Sequence, residues 1–388
     1  MQTSTDAFMQ IQNTKNKLIS VVVVGQTPPP FHGQAVMIQM LLDGPIEGVQ
    51  FHHVRMAFSN NMDQVGRFQL RKIIHLITVI FRIGTARIAH NAQILYYPPA
   101  GPNRVPVFRD VVLLFCTRWM FRRTVFHFHA SGVSELIAKF RPPLRAMAWC
   151  ALGSPDAAIQ MSNLIGQDAV WLKAKKVYVI PNAVLDEATR LDWNPLDRLI
   201  SSTKKILYVG TVCESKGILI LLNACKQLRQ AGVAFHLDVV GSYQPSDFST
   251  EVQRIVREFE LEEHVTLHGQ KTGDNKWRMF LHANVFCFPS HYASEGFPCV
   301  LLEAMCFALP VISTRWRGIP AIVEHGSTGY LIDVKDADEL FVAMRKLFSD
   351  SKLMHAMGIA GRTKFLAQYS NEQHLQQMRQ VFVDMAQP

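Results

Sequence analysis

The chain has 388 residues, of which 48% are hydrophobic and 18% are charged, so a disordered protein is excluded and two domains with large cores are favoured. The net charge of +9 is uneven, because residues 1–190 carry 20 basic and 10 acidic side chains while residues 191–388 carry 20 and 21. The first half is therefore expected to meet a negatively charged partner, and the second half is not.

Cysteine usage and the N-terminus indicate the compartment. The seven cysteines are scattered without a CxxC pair, which argues against a zinc knuckle or a disulfide framework and favours buried thiols in a reducing compartment. Residues 1–17 are polar and lack the apolar core of a signal peptide. The best candidate for a membrane span, Ile73–Ile83, has eleven residues and would cross only about half of a bilayer core.

In the first half, apolar runs of strand length alternate with helical stretches. Residues 18–25, LISVVVVG, are typical of a buried parallel strand, and they lead through the loop QTPPPFHGQ into a helix over Ala35–Leu42. Further strands are predicted at Gln93–Tyr97, Thr124–His129, Ala157–Met161 and Val177–Ile180.

The second half restarts the same alternation. Strands are predicted at Lys205–Gly210, Phe235–Gly241, His264–Gly269, Asn284–Pro289, Val311–Thr314 and Tyr330–Ile332. Helices are predicted at Gly217–Ala231, Asp247–Glu260 and Cys299–Phe307, and over most of the chain after Ile332. This alternation predicts two doubly wound α/β domains with parallel sheets, joined near residues 182–199. Ligands of such sheets bind beyond the carboxyl ends of the strands, and two facing domains would enclose the site in a cleft.

Residues 288–314 carry the sharpest motif, FPSHYASEGFPCVLLEAMCFALPVIST. Glu295 lies in a loop, and Glu303 lies about 1.5 turns into the helix that opens near Pro298. The free amides of that helix start and the small Gly296 favour a bound anion, and a carboxylate accepts paired hydrogen bonds from a diol such as ribose. The segment therefore predicts a nucleotide-sugar site. The alternative is a helix cap with one satisfied buried carboxylate.

This segment resembles the EX7E signature of the retaining glycosyltransferases of family 4, which have the GT-B fold and include bacterial surface and exopolysaccharide enzymes. Further matches follow in order at VIPNAV (179–184), VGTVCESKG (209–217), VVG (239–241), LHG (267–269), ALPVIST (308–314) and EHGSTGYLI (324–332). The resemblance implies two Rossmann-like domains facing across a cleft: an acceptor-side domain over residues 1–190 and a nucleotide-sugar-binding domain over residues 191–370. A helix in residues 371–388 is expected to pack back on the first domain.

The resemblance also implies how the donor, a nucleotide-diphosphate sugar, is bound. Glu303 binds the ribose, Glu295 lies beside the donor sugar, and Lys216 neutralises the diphosphate. The implied catalytic residues are Glu295, His129 and Lys216. The implied donor-binding residues are Gly33, Gly210, Thr211, Lys216, Gly269, Gln270, Gly296, Phe297, Pro298 and Glu303, with Gly269 and Gln270 around the base.

Thr211 departs from the family pattern, which usually has arginine after the glycine of this strand end. Arginine supplies a fixed charge and a forked set of donors to a diphosphate, whereas threonine supplies one hydroxyl. Three alternatives follow: Lys216 and the helix amides suffice, another basic residue substitutes, or catalysis is slower.

Two N-terminal loops match the family as well. QTPPPFHGQA (26–35) resembles its glycine-rich loop near the donor phosphates and the acceptor, with His32 before Gly33 where the family often has two glycines; the alternative is a merely rigid loop. HFHASG (127–132) ends a strand, and the resemblance places His129 near the reacting sugar. His127, on the same face of that strand, is an alternate or a core residue.

The resemblance implies transfer with retention of configuration. The acceptor hydroxyl attacks on the face that the nucleotide leaves, and the leaving phosphate takes its proton, so no enzyme base, metal or cofactor is expected. The protein stabilises charge on the diphosphate through Lys216 and oriented amides. Asp336–Asp338, sequence DAD, looks like a metal-binding DxD motif, but acidic residues at a helix start are ordinary caps and we expect no metal there.

Residues 50–150 concentrate the positive charge, with 14 basic side chains against Asp63, Asp110 and Glu135. A helix in residues 67–88 is predicted to be amphipathic. Its polar face holds Arg71, His75, Thr78 and Arg82, and its apolar face holds Ile73, Ile77, Ile80 and Gly84. Such a surface favours an anionic membrane, while no module for nucleic acid is found. The alternative is a set of helices packed on the sheet with their charges in water.

The leading hypothesis is a cytoplasmic enzyme, peripheral on the inner face of the plasma membrane, that transfers a sugar from a nucleotide-diphosphate sugar to a lipid-linked or cell-surface glycan. A second hypothesis is a GT-B nucleotide-sugar epimerase, which is expected to lack the EX7E context. A third is a catalytically weak donor-binding subunit, which Thr211 alone supports.

Overall fold

The computed structural model describes residues 18–29, 33–57, 70–164, 167–195, 198 and 202–387. His32, Asp63, Arg67 and the side chain of Arg71 lie outside the described part of the chain. Two compact units are formed, one by residues 1–181 with 372–388 and the other by residues 182–371.

The division between the units falls nine residues before the expected boundary at residue 190. Residues 182–190 bond within the second unit, which explains the difference. The backbone amide of Val184 donates to the carbonyl of Tyr369 at 3.1 Å, and Asp186 forms an ion pair with Arg362 at 2.7 Å.

The first unit is built on a parallel sheet in the order β2-β1-β3-β4-β5-β6. Its strands are β1 Ile19–Gly25, β2 Val49–Arg55, β3 Ile94–Tyr97, β4 Arg123–Phe128, β5 Ala157–Gln160 and β6 Lys176–Val179. The structure confirms the five predicted strands to within one residue at each end. β2 escapes prediction because its sequence, VQFHHVR, is half polar, and it pairs with β1 alone at the sheet edge.

Helices pack on both faces of this sheet. They are α1 Gly33–Asp43, α2 Leu70–Ala89, α3 Arg104–Thr117, α4 Val133–Ala138, α5 Pro142–Leu152, α6 Asp168–Trp171 and, from the end of the chain, α15 Asn371–Ala386. Val22 and Val24 of β1 point into the core that α2, α3 and α5 cover, while Val21 and Val23 point into the core that α1 and α15 cover. Because successive side chains of a strand point to opposite faces, β1 contributes residues to both cores.

Helix α15 completes the second of these cores. Met378 and Phe382 are fully buried in the same cluster as Tyr96 of β3. At its end, Asp384 accepts a hydrogen bond of 2.6 Å from the hydroxyl of Tyr178 on β6. The first sheet thus depends on residues from the far end of the chain.

The second unit repeats the architecture with a parallel sheet in the order β12-β11-β10-β7-β8-β9. Its strands are β7 Lys204–Val209, β8 Phe235–Val240, β9 Val265–Gly269, β10 Val285–Phe288, β11 Val311–Thr314 and β12 Gly329–Ile332. Its helices are α7 Glu187–Arg190, α8 Ile218–Gln230, α9 Phe248–Glu258, α10 Asp274–His282, α11 Cys299–Cys306, α12 Ile319–Ile322, α13 Ala337–Ser349 and α14 Ser351–Gln368.

The structure confirms the predicted strands of this unit to within one residue at each end. Helix α10 escapes prediction, because its sequence, DNKWRMFLH, is mostly polar and only Phe280 is fully buried. Both sheets are parallel with helices between successive strands, which confirms the doubly wound α/β class. No helix in the described ranges combines the length and the apolar character needed to cross a bilayer.

Candidate functional site

The candidate site of the second unit lies where two neighbouring strands end. β7 and β10 pair in parallel, so the loops that follow them emerge at the same edge of the sheet. The first loop runs from Gly210 to a 3-10 turn at Glu214–Lys216, and the second runs from Pro289 to Pro298, where α11 begins. The sheet therefore brings Lys216, Glu295 and Glu303 to one edge, as the sequence predicts.

Gly217 allows the two loops to touch. Its φ of 82° is in the left-handed region, and a Cβ added there would lie 2.0 Å from the carbonyl oxygen of Pro289. The loops are also joined by a hydrogen bond of 2.8 Å from the amide of His291 to the carbonyl of Ser215. Only glycine fits this position, because any larger residue would push the turn that carries Lys216 away from the second loop.

Lys216 and Glu295 form an ion pair at the centre of the site. Nζ of Lys216 lies 2.7 Å from Oε2 of Glu295, whose side chain is 7% exposed. The hydroxyl of Ser290 donates to the same oxygen at 2.5 Å, and Nζ lies 4.6 Å from the centre of the Tyr292 ring. The lysine is therefore held by a carboxylate and an aromatic face, and any anion that bound to it would compete with Glu295.

Glu303 forms a second ion pair, which the sequence analysis missed. Oε1 of Glu303 lies 2.6 Å from Nζ of Lys276 on α10, and the lysine also lies 4.4 Å from the centre of the Trp277 ring. The other carboxylate oxygen, Oε2, is buried and has no hydrogen-bond partner in the described protein. A buried acceptor without a donor is costly, so this oxygen is suited to a hydroxyl from a ligand.

Contacts from Asn182 and Tyr369 hold the residue Phe297, which lies just before the start of α11. The side-chain amide of Asn182 donates to the carbonyl of Phe297 at 3.1 Å, and the Phe297 ring packs edge-on against Tyr369 at 5.7 Å. Burial raises the pKa of the Cys299 thiol to about 12, so this side chain is neutral at the helix start. The backbone of residues 296–298 is thus held rigidly between the two glutamates.

Gly210 and Thr211 follow β7 directly. The carbonyl of Thr211 accepts a hydrogen bond of 2.9 Å from the hydroxyl of Tyr208, which fixes the backbone at this point. A Cβ at Gly210 would lie 3.2 Å from the Phe288 ring. No arginine follows this glycine. A second cation of the site, Lys276, pairs with Glu303.

Gly269 and Gln270 lie further along the same sheet edge. Gly269 is the last residue of β9 and Gln270 follows it; β9 is separated from β7 by β8. The carbonyl of Gly269 accepts the amide of Gly241 at 2.9 Å, and Gln270 is exposed. The structure therefore places them at the predicted edge but not in contact with the two ion pairs.

The predicted residues of the first unit are Gly33 and His129. Gly33 begins α1, and His129 directly follows β4, with its ring 4.0 Å from that of His127. Nδ1 of His127 lies 2.7 Å from the hydroxyl of Tyr96. Burial, together with His129 and His374 nearby, holds the pKa of His127 well below its usual range. His127 is therefore a neutral core residue, the second of the two alternatives for it.

The DAD sequence caps a helix. The carboxylate of Asp336 accepts the amide of Glu339 at 2.8 Å at the start of α13, and Asp338 accepts a hydrogen bond of 2.7 Å from the side chain of Gln227. Within the described residues, no three His, Cys, Asp or Glu side chains are grouped as metal ligands.

Comparison with known proteins finds a family match within the second unit. Residues 197–364 match the family described as glycosyl transferases group 1. This segment is similar in sequence to group 1 glycosyltransferases. It contains both ion pairs and the start of α11.

Named relatives of this chain take part in polysaccharide biosynthesis. The amylovoran biosynthesis glycosyltransferase AmsK of Erwinia amylovora is 28% identical over 186 residues, which are 47% of this chain and 45% of that protein. The putative colanic acid biosynthesis glycosyltransferase WcaL of Salmonella typhimurium is 32% identical over 140 residues, 35% of this chain and 34% of that protein. The chain thus spans less than half the length of these two relatives.

A solved structure shows the fold over nearly the whole chain. HepE of Anabaena in complex with UDP and glucose is 15% identical, with a TM-score of 0.67 over 94% of this chain and 100% of that chain. Together with the two parallel sheets, this likeness confirms the predicted GT-B fold.

Proposed function

We propose that the protein is a retaining glycosyltransferase that moves a sugar from a nucleotide-diphosphate sugar to a lipid-linked or cell-surface glycan. The observation that carries the proposal is the unpartnered Oε2 of Glu303, which lies beside Lys276 at the start of α11. A ribose hydroxyl is a suitable donor for it. The names of the relatives support a role in polysaccharide synthesis, and HepE supports UDP as one candidate nucleotide.

In this proposal Lys216 gains a second partner when the donor binds. The two lysines and two glutamates of the site sum to no net charge, so a diphosphate brings negative charge into a neutral site. Lys216 then shares its charge between Glu295 and a phosphate oxygen. The amides of residues 296, 297 and 299 supply further donors near the helix start.

The proposed chemical step uses these groups without an enzyme base. The acceptor oxygen bonds to the anomeric carbon as the bond from that carbon to the diphosphate oxygen breaks. The released diphosphate takes the proton of the acceptor hydroxyl. Lys216 stabilises the charge that develops on the leaving group, and Glu295 orients the donor sugar. His129 is proposed to lie near the reacting sugar.

The proposal includes a peripheral position on the cytoplasmic face of an anionic membrane. Some basic side chains of residues 50–150 bind to groups of the first unit itself. Fewer of them are therefore free to contact an anionic membrane than the charge pattern predicts. Arg118 donates to the carbonyls of Gly153 and Ser154 at 2.6 and 2.8 Å, and Arg123 lies 3.6 Å from Asp156. The exposed cations of the region include Arg82, Arg104, Arg122 and Arg145.

Binding of the donor is tested by thermal shift against a panel of nucleotide sugars, because a ligand that binds only the folded state raises the melting temperature. We expect one donor to stabilise the protein, and Glu303→Gln to abolish that shift. Lys216→Met is expected to abolish transfer. Glu262→Gln and Lys205→Met, which change exposed residues away from the site, serve as controls.

Product analysis separates the proposal from its alternatives. Release of an epimerised nucleotide sugar, or donor binding without any transfer to glycan acceptors, would overturn the transferase assignment. Normal transfer by both site variants would overturn the assignment of the site.

A further inference from the structure

Helix α2 exposes an apolar face that the rest of the protein does not cover. Its inward side is formed by residues such as Val79 and Ile83, which are fully buried in the core over the first sheet. A second apolar side faces solvent. The exposed fractions are 62% for Ile74, 62% for Ile77, 72% for Phe81 and 76% for Ile88. At 100° per residue these four side chains fall within an arc of about 60° on the helix.

The neighbouring helix also exposes apolar side chains. α3 lies beside α2 over the same core, and its Phe108 and Phe115 are half exposed. The 3-10 turn Arg118–Met120 follows, with Trp119 77% exposed. Met120 of this turn packs on α2, since a Cβ at Gly84 would lie 3.3 Å from its terminal methyl group. We name these side chains, Ile74, Ile77, Phe81, Ile88, Phe108, Phe115 and Trp119, the apolar face.

We propose that the apolar face inserts into the interface of an anionic lipid bilayer. Clustered exposed apolar side chains, such as those within the arc of about 60° on α2, mark an interaction site, and a helix with its apolar side in the headgroup region is a common form of membrane attachment. Charge identifies the partner: Arg82 on α2, Arg104 at the start of α3 and Arg122 after the turn are exposed cations. Trp119 is a residue type enriched at membrane interfaces.

This inference deepens the membrane part of the proposed function and differs from it in mechanism. A protein bound by charge alone dissociates from the membrane as the salt concentration rises. A protein with inserted apolar side chains retains part of its membrane affinity at high salt. Arg118 and Arg123, which the charge pattern alone would favour, are bound to the protein itself. We therefore expect the apolar side chains to supply the part of the attachment that persists at high salt.

Vesicle sedimentation with the full chain tests the inference. The probes are vesicles of phosphatidylcholine with and without phosphatidylglycerol, over a range of NaCl concentrations. Ile77→Ser with Phe81→Ser is expected to lower the partition coefficient about tenfold or more, because two large apolar side chains lose their burial. The matched control, Val170→Ser with Val342→Ser, removes exposed apolar side chains elsewhere and is expected to bind normally. Brominated lipids are expected to quench the fluorescence of Trp119, and Trp119→Phe removes that part of the quenching.

Two results would overturn the inference. One is vesicle binding that salt abolishes and that the double substitution leaves unchanged, which indicates attachment by charge alone. The other is a dimer in the absence of lipid that the double substitution dissociates, which assigns the face to a second copy of the chain. The vesicle assays contain neither donor nor acceptor, so they measure membrane binding independently of sugar transfer. Failure of this inference can therefore be told apart from failure of the proposed transferase function.

Discussion

Lys276 and Glu303 form an ion pair of 2.6 Å between α10 and α11, and only one oxygen of the carboxylate takes part in it. The lysine holds the glutamate in one orientation, so the free oxygen points to a fixed place. We expect Lys276→Met, which removes the charge and keeps much of the side-chain length, to raise the KM for the donor about tenfold, because a carboxylate without its cation repels a diphosphate. Steady-state kinetics with varied donor measure this change.

Arg278→Met is the matched control for Lys276, since Arg278 lies on the same helix and is exposed. Lys276→Arg is expected to restore part of the affinity. An unchanged KM in Lys276→Met would show that the pair has no part in donor binding.

Thr211→Arg is expected to raise kcat/KM for the donor severalfold. Thr211 directly follows the strand end that leads to Lys216, and an arginine there adds a charge and a forked donor set to a site without net charge. Thr211→Gln, which adds length without charge, is the control. Equal kinetics in both variants would mean that the site needs no second cation on this loop.

Gly217→Ala is expected to lower the free energy of unfolding of the second unit by more than the cost of placing alanine in the left-handed region. An alanine in the left-handed region costs about 1–2 kcal/mol, and at Gly217 its Cβ would also collide with the carbonyl of Pro289. Gly232→Ala is the control, because Gly232 has a φ of 68° and open space around it. Urea denaturation measures the free energy of unfolding of the two variants. Equal losses of stability would contradict the prediction that the Cβ at position 217 collides with Pro289.

His374 makes the first unit less stable in acid. Burial lowers the pKa of the His374 imidazole in the folded protein to about 4, below its ordinary value of 6.5. The unfolded chain therefore binds the proton first, so stability is full above about pH 6.5 and falls as the pH drops toward 4. The lowering of the His374 pKa from 6.5 to about 4 corresponds to about 3 kcal/mol in the free energy of unfolding. Thermal unfolding of the protein and of His374→Gln across this range tests the slope, which is expected to be shallower in the variant.

Much of the candidate site follows from local sequence. Glu295, residues 296–298 and Glu303 lie on one continuous segment, and the strand pattern predicts that Lys216 ends up at the same sheet edge. Lys276 could not be predicted in this way. Its partner lies 27 residues further along the chain, and the short polar sequence of α10 gives a weak helix pattern.

The exposed side of α2 was predicted only in part. The periodicity places Ile73, Ile77 and Ile80 on one face, but it does not tell which part of the helix surface the sheet covers. In the structure Ile80 packs against the core while Ile73 and Ile77 are exposed. The prediction for the basic residues was incomplete for a similar reason, because carbonyl groups distant in sequence bind Arg118.

The path of the chain affects how the protein is made. It leaves the first unit after Pro181 and returns at Glu372, with the whole second unit in between. Because Met378 and Phe382 fill the core behind Tyr96, the face of the first sheet that α1 covers in part is completed only when α15 packs on it. Folding of the first unit is therefore completed only after the second unit has been synthesised.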